Sequence, residues 1–183
     1  MPAMTAASTH VLHADLPAAG FAPPRIVPIE AVRVLMVCAG NVRRSPMAAA
    51  LWRNRFCEHP MVVQSAGLNA LNGAGIDPQA EAALADRGLT ARPHIARQVT
   101  AALVEASDLV LVMDCAQAVA VQALSACAVG RTFTLGKWSG GIEIPEPYPY
   151  TRDAYARVCC LIERAIDDWY EQLSGPVAAA RAM

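Results

Sequence analysis

The chain has 183 residues, of which 55% are apolar, and its formal net charge is −1. This length suits one domain with a sizeable core, and no apolar run approaches the ~20 residues of a membrane-spanning helix. No long run of one charge sign favours nucleic acid or an anionic membrane, so the sequence indicates a soluble globular protein.

Residues 1–31 mix Ala, Pro, His and Thr without sustained periodicity, and we interpret them as a flexible leader or as the product of a misassigned start codon. Residues 32–173 form the predicted domain, and residues 174–183 form a short frayed tail.

The predicted elements alternate between short apolar strands and helices. The strands are Val32–Cys38, 61–66, 107–114 and 131–135. The helices are 45–58, 78–88, 115–126 and 151–173. The Gly- and Pro-rich segment 136–150 is predicted to be a long loop. This alternation predicts an α/β fold, in which helices flank a four-stranded parallel sheet as a three-layer sandwich.

The stretch "VRVLMVCAGNVRRSPMAAALWR" places Cys38 at the carboxyl end of the first strand and a helix amino terminus just beyond it. Ligands of a parallel sheet bind beyond the carboxyl ends of its strands, and helix amino termini present N–H groups that attract anions. Gly40 and Asn41 tolerate the left-handed backbone of a tight loop, and Arg44 can hold two phosphate oxygens at once. The pattern predicts a phosphate loop directly after the first strand.

Cys38 is the predicted nucleophile of this loop. Helix amino termini and nearby arginines favour thiolates, which can attack phosphorus. Ser45 suits the N-cap of the following helix and Pro46 its first position, and the Ser45 hydroxyl can also donate a hydrogen bond to the sulfur. A lone cysteine at a strand end is more often a buried apolar residue, but Cys-x5-Arg-Ser between a strand and a helix is much rarer than its parts.

The same stretch resembles the signature V-C-x-G-N-x-C-R-S-P of the low-molecular-weight protein tyrosine phosphatases. The resemblance continues through "QSAGL", "HIARQVT", "DLVLVMD" and "GGIEIPEPY", and it covers roughly residues 32–173. The stretch "LGKWSGGIEIPEPY" is further similar to the bacterial branch linked to capsule and exopolysaccharide export. The resemblance implies a cytoplasmic phosphatase without cofactor or metal, which acts through a cysteinyl-phosphate. Its implied partner is a tyrosine-phosphorylated protein, namely a membrane tyrosine autokinase of polysaccharide export.

The resemblance also implies roles for individual residues. The residues that would surround the phosphate are Ala39, Gly40, Asn41, Val42, Arg43, Arg44 and Ser45. Tyr148 would form a wall beside the substrate ring, although it could instead pack against Trp138. Ser65, His94 and Asp114 match positions that brace the loop. Without the resemblance, His94 would be an ordinary histidine and Asp114 a helix cap.

Two positions depart from the family pattern. The general acid of the family is an aspartate before Pro-Tyr, and Glu146 stands in that place here, with Glu143 as a less well spaced alternative. Because glutamate carries the same functional group on a longer side chain, we expect a working but slower acid. Arg43 stands where many relatives carry a second cysteine, and it either raises the positive potential near the loop or is solvated.

Three functions stay open at this point. The first is phosphotyrosine hydrolysis by Cys38, Arg44 and Glu146, and the second is phosphotyrosine binding with weak or no turnover. The third and most distant is arsenate reduction, which would need cysteines such as Cys115 and Cys127 to relay a disulfide. The six cysteines lack a CxxC pair and disulfide-rich spacing, which favours a reducing cytoplasm. No His, Cys and carboxylate cluster has the spacing of a metal site.

Overall fold

The computed structural model describes residues 31–174, so most of the predicted leader and nearly all of the predicted tail lie outside the described residues. The strands are β1 (Val32–Cys38), β2 (Met61–Gly67), β3 (Leu109–Val112) and β4 (Thr132–Thr134). The helices are α1 (Arg44–Arg55), α2 (Pro78–Ala85), α3 (Ala101–Glu105), α4 (Cys115–Leu124) and α5 (Arg152–Ser174). A single 3-10 turn at Ala126–Ala128 follows α4.

The four strands form one parallel sheet in the order β2-β1-β3-β4. Helices α1, α2 and α5 cover one face of this sheet, and α3 and α4 cover the other. The predicted three-layer α/β fold with a four-stranded parallel sheet is confirmed. None of the helices between residues 31 and 174 combines the length and the apolar character needed to cross a membrane.

Strand β1 lies in the interior of the sheet and shows how the sequence positions the loop. Val34, Met36 and Cys38 face the core beneath α1 and α5, whereas Leu35 and Val37 face the opposite core. Because helices cover both faces, all five side chains are buried, which explains the nearly continuous apolar run. The strand therefore carries Cys38 to the carboxyl edge of the sheet within a rigid framework.

Helix α5 closes the core on the α1 side of the sheet. Its Trp169 indole donates a hydrogen bond to the Leu135 carbonyl at 2.8 Å and lies 6.3 Å from the Trp52 ring. Trp138, at the start of the long loop, packs edge-on against the same Trp169 with 5.9 Å between ring centroids. The aromatic contacts of α5 thus fix the beginning of the loop that leads to Glu146.

Helix α3 is an α-helix that the sequence analysis did not predict. It has only five residues, too few for a helical period to be recognised against the flanking residues. Its start is marked by Thr100, whose side chain accepts a hydrogen bond from the Leu103 N–H at 3.3 Å. A threonine N-cap was the signal available in the sequence.

Candidate active site

The predicted phosphate loop comprises residues 39–43, which connect β1 to α1 and turn at Asn41. Asn41 is fully buried with a φ of +54°, in the left-handed region that asparagine adopts more readily than most residues. Its Oδ1 accepts from the Arg97 N–H at 2.9 Å, and its Nδ2 donates to Ser45 Oγ at 2.9 Å. Its carbonyl oxygen lies 2.7 Å from Nε2 of His94. These contacts hold the loop in a single shape.

The Cys38 sulfur lies within this loop and is almost fully buried. The Asn41 N–H donates to Sγ at 3.3 Å, and Ser45 Oγ lies 3.0 Å from the same sulfur. Hydrogen-bond donors directed at a sulfur near a helix amino terminus stabilise a thiolate. This suits a thiolate that is the nucleophile in one step and the leaving group in the next. The geometry therefore suits the predicted nucleophile.

The prediction that Ser45 is the N-cap of α1 is wrong. Arg43 occupies the N-cap position without a side-chain capping bond, and Ser45 is already the second helical residue. The Ser45 hydroxyl is occupied by Cys38, by Asn41 and, at 3.4 Å, by the Ala66 carbonyl. Ser-Pro resembles a capping pair in sequence, but here the hydroxyl is buried against the sulfur and cannot turn back to the helix backbone.

Arg44 is the buried cation of the site. Its Nη1 donates to the Ile144 carbonyl at 2.9 Å and lies 3.7 Å from Asp114 Oδ2, while its Nη2 lies 2.7 Å from Glu146 Oε2. Its Nε is buried and has no hydrogen-bond partner among residues 31–174. A buried donor without a partner is costly unless a ligand supplies the acceptor. The guanidinium is therefore held in place with an N–H available for an oxyanion.

Glu146 and Glu143 lie in different surroundings. The Glu146 carboxylate bridges Arg44 and Arg43, with 2.7 Å and 3.0 Å between the charged atoms. Glu143 instead accepts a hydrogen bond from the Cys115 N–H at 2.9 Å, at the amino terminus of α4. Of these two glutamates, Glu146 is thus the one that contacts the phosphate loop, and Glu143 accepts a hydrogen bond at the amino terminus of α4.

Arg43 is neither solvated nor an unpaired positive charge, which corrects both expectations for it. Its Nε bonds Asp77 Oδ2 at 3.0 Å, its Nη1 bonds Glu146 Oε1 at 3.0 Å, and its guanidinium lies 4.7 Å from the Tyr150 ring centroid. Only 30% of its side chain is exposed. Two carboxylates neutralise its charge, so it ties the late loop to the phosphate loop instead of projecting a positive field.

Asp77 anchors Arg43 from beneath. It is the N-cap of α2, where its side chain accepts from the N–H groups of Gln79 and Ala80. Burial alone would raise the pKa of Asp77, but hydrogen bonds from Tyr155, Arg43 and the helix backbone outweigh it and lower that pKa. Burial and the same carboxylate raise the pKa of Tyr155 to about 12. Asp77 is therefore an ionised, well-bonded partner for the Arg43 guanidinium at neutral pH.

Two tyrosines stand at the mouth of the site. Tyr148 is 76% exposed and contacts Tyr150, which is 48% exposed, edge to face with 5.8 Å between ring centroids. The alternative that Tyr148 packs against Trp138 is not realised, because Trp138 packs against Trp169. Tyr148 is free to face a substrate ring, and Tyr150 is a second aromatic residue that the sequence reading did not single out.

The three residues predicted to brace the phosphate loop differ in how directly they contact it. His94 contacts the loop directly through the Asn41 carbonyl. Asp114 is the N-cap of α4, and its Oδ2 also lies 3.7 Å from Arg44 Nη1. Ser65 lies in β2 beside Met36, and its carbonyl oxygen accepts from Arg97 Nε at 3.0 Å. The sequence reading missed Arg97, which joins β2 to the phosphate loop.

Gly67 leaves room for the phosphate loop, and its substitution tests how closely the loop is packed. A methyl group there would lie 2.5 Å from the Ala39 carbonyl oxygen and 2.9 Å from the Asn41 nitrogen. Because both neighbours are backbone atoms, we expect Gly67→Ala to displace the loop, destabilise the fold by ~1–3 kcal/mol and weaken phosphate binding about tenfold. Thermal unfolding with and without phosphate measures both effects. Gly75→Ala is the matched control, since a methyl group there meets nothing within 4 Å, and equal losses in the two variants would contradict the prediction.

The fold and loop together define a class of α/β protein in which a loop that suits an oxyanion surrounds a cysteine at the end of the first strand. The family described as low molecular weight phosphotyrosine protein phosphatase matches residues 33–178. The chain is 39% identical over 143 residues to the low molecular weight protein-tyrosine-phosphatase Wzb of Salmonella typhimurium, covering 78% of this chain and 94% of that one. The chain belongs to the low molecular weight phosphotyrosine protein phosphatase family.

Solved structures agree with this assignment. The tyrosine phosphatase Wzb from Escherichia coli K30 in complex with sulphate matches with a TM-score of 0.72 and 32% identity, covering 77% of this chain and 97% of that one. The YwlE arginine phosphatase from Geobacillus stearothermophilus matches with a TM-score of 0.73 and 31% identity, covering 79% and 94%. The family fold thus includes proteins named for two different phosphoryl substrates, so the fold alone does not define the substrate.

Proposed function

We propose that this protein hydrolyses phosphotyrosine in proteins through a cysteinyl-phosphate intermediate. The observation that carries the proposal is the arrangement around Cys38. Its sulfur receives the Asn41 N–H and lies beside Ser45 Oγ, and Arg44 offers a buried N–H without a partner among the described residues. Such an array of fixed donors stabilises the charge that develops on a phosphoryl group in the transition state.

In the first step, Cys38 Sγ attacks phosphorus as the bond to the tyrosine oxygen breaks. The carboxyl group of Glu146 gives its proton to that oxygen, and the phosphoryl oxygens lie against the loop N–H groups and Arg44. Without substrate, the Glu146 carboxylate is ion-paired with Arg44 Nη2. The incoming phosphate takes its place there, and the displaced carboxylate takes up from solvent the proton that it then donates. This exchange leaves the carboxyl group beside the phosphate, where a leaving oxygen can reach it.

In the second step, the Glu146 carboxylate takes a proton from water, and the water oxygen attacks phosphorus. The phosphorus–sulfur bond breaks, which releases inorganic phosphate and returns the thiolate. Ser45 Oγ, 3.0 Å from the sulfur, supports this departing charge. Atoms and charge balance across both steps without a cofactor.

Phosphotyrosine is the proposed substrate because of the depth and lining of the site. Cys38 is only 3% exposed, so a short phosphoserine side chain reaches it less well than an aryl phosphate does. Tyr148 and Tyr150 supply aromatic surfaces at the mouth. An aryl phosphate can pack its ring against these tyrosines, which favours phosphotyrosine over phosphoserine and phosphoarginine, since neither of those side chains carries an aromatic ring.

For the partner, we propose a membrane tyrosine autokinase of polysaccharide export. The support comes from the sequence resemblance to the exopolysaccharide branch and from relatives named Wzb and EpsP.

We further propose a cytoplasmic location. All six cysteines lie within the described residues and are free thiols, as a reducing compartment would keep them.

The alternatives find less support in the geometry. Cys115 contacts Glu143, and Cys127 contacts Ser125, so their described contacts do not form the relay toward Cys38 that arsenate reduction would need. A binding module without turnover is disfavoured because Glu146 already lies at the phosphate-binding guanidinium.

A panel of peptides that differ only in the phosphorylated residue tests the proposed function. We expect phosphate release from the phosphotyrosine peptide to exceed that from the phosphoserine and phosphoarginine peptides by at least ~10² in kcat/KM. Rapid denaturation in alkali during turnover should trap a phosphoryl group on Cys38, detected by mass spectrometry. Preference for phosphoarginine would overturn the substrate, and tight binding of phosphotyrosine without release would favour the binding module. Reduction of arsenate with thioredoxin in place of phosphate release would favour the third alternative.

A further inference from the structure

The two positions that depart from the family pattern contact each other. Arg43 and Glu146 are 103 residues apart in sequence, yet Arg43 Nη1 donates to Glu146 Oε1 at 3.0 Å. The other carboxylate oxygen of Glu146 lies 2.7 Å from Arg44 Nη2. One carboxylate is therefore held by two guanidinium groups, of which only Arg44 belongs to the phosphate-binding signature.

Arg43 is fixed independently of Glu146. Its Nε is bonded to Asp77 Oδ2 at 3.0 Å, and Asp77 is itself held as the N-cap of α2. The Tyr150 ring, 4.7 Å away, packs against the guanidinium from the late loop. Because these contacts do not depend on the Glu146 carboxylate, Arg43 can keep its place while that carboxylate changes its partners.

Substrate binding gives the two arginines different roles. The phosphate displaces Glu146 from Arg44 Nη2, and the Glu146 carboxyl group stays in contact with Arg43. When Glu146 gives its proton to the leaving oxygen, negative charge develops on the carboxylate beside an N–H that is already in position. A preorganised donor at a site of developing charge lowers the barrier, because little reorganisation is needed during the reaction.

We propose that Arg43 is a positioning residue for the general acid: it holds the longer Glu146 side chain in place and stabilises the carboxylate formed on proton transfer. The extra methylene of glutamate lets the carboxyl group span from the late loop to Arg43. This inference rests on the proposed function, since it assigns Arg43 a part in the same reaction. It differs from a general attraction of acidic substrates, because Asp77 and Glu146 neutralise the Arg43 charge.

The test compares two aryl phosphates that differ in their need for an acid. Phenyl phosphate releases a poor leaving group that resembles tyrosine, whereas the 2,4-dinitrophenolate of 2,4-dinitrophenyl phosphate leaves without a proton. We expect Arg43→Met and Arg43→Gln to lower kcat/KM for phenyl phosphate by about 10- to 100-fold and for the dinitrophenyl ester by less than about threefold. Arg43→Lys should recover part of the loss. In a Glu146→Gln background, Arg43→Met should have little further effect on either ester.

The control is Arg55→Met. Arg55 lies at the far end of α1, bonds Asp167 at 2.6 Å and stacks on Tyr170 at 3.4 Å, so it makes the same types of contact away from the site. Its substitution should leave both esters unaffected. Equal losses for the two esters in both Arg43 variants, unchanged rates, or losses that multiply with Glu146→Gln would overturn this inference alone. A parent protein that cleaves neither ester would overturn the proposed function and the inference with it.

Discussion

Cys38→Ser is expected to lower kcat for a phosphotyrosine peptide by at least ~10⁴, the largest effect of any single substitution in this chain. The hydroxyl of serine is a much weaker nucleophile toward phosphorus than a thiolate, and the described side-chain contacts of position 38 include no carboxylate or imidazole that could activate it. The Asn41 N–H and Ser45 Oγ contact the sulfur but act as its donors or neighbours. Phosphate release under saturating substrate measures the loss.

Binding should survive this substitution, and that difference separates catalysis from folding. The loop is also held by the contacts of Asn41 with Arg97 and His94, and neither of these two contacts involves the sulfur. We therefore expect Cys38→Ser to bind inorganic phosphate within about threefold of the parent protein in calorimetric titrations. Cys57→Ser, at an exposed cysteine, is the matched control and should retain full turnover. Substantial turnover by Cys38→Ser would exclude Cys38 as the nucleophile.

The local part of the site is predictable from the sequence because β1, the phosphate loop and α1 are continuous in the chain. An apolar run buried on both faces, followed by Gly40 and Asn41 and then a helix, leaves little freedom in where Cys38 and Arg44 lie. The left-handed backbone of Asn41 fits this expectation. Resemblance to the family motif added the late loop and placed Glu146 near the site.

The rest depends on contacts between residues far apart in sequence. Arg43 joins Asp77 and Glu146 across 34 and 103 positions, and no local pattern distinguishes such an arginine from a solvated one. Ser45 was misassigned as the N-cap for a different reason. The sequence predicted both a contact of its hydroxyl with the Cys38 sulfur and a capping role, and the structure shows the first of these and not the second. Helix α3 was missed because five residues hold too little periodicity. Local chemistry was thus predictable, and its long-range partners were not.

Glu146→Gln is expected to lower kcat/KM for phenyl phosphate or a phosphotyrosine peptide by ~10²–10⁴, because the phenolate must then leave without a proton. The dinitrophenyl ester should lose little in kcat/KM, since its leaving group needs no acid. Its steady-state turnover should nevertheless fall, because Glu146 also activates the water of the second step. Stopped-flow measurements should show a burst of dinitrophenolate followed by slow turnover as the cysteinyl-phosphate accumulates.

The same substitution should leave phosphate binding at least as strong as in the parent. The Glu146 carboxylate now lies 2.7 Å from Arg44 Nη2, where it competes with an oxyanion, and the neutral amide of glutamine competes less well. Inhibition by inorganic phosphate measures this difference. Glu143→Gln is the matched control, because Glu143 bonds the Cys115 N–H at the start of α4 and makes none of the described contacts with the phosphate loop. If Glu146→Gln cleaved both esters at the parent rate while Glu143→Gln slowed the phenyl ester, the acid would be Glu143 and the motif spacing would have misled. If Glu146→Gln slows the phenyl ester and Glu143→Gln cleaves both esters at the parent rate, the proton donor is Glu146. In that case, neither variant should show weaker inhibition by phosphate than the parent.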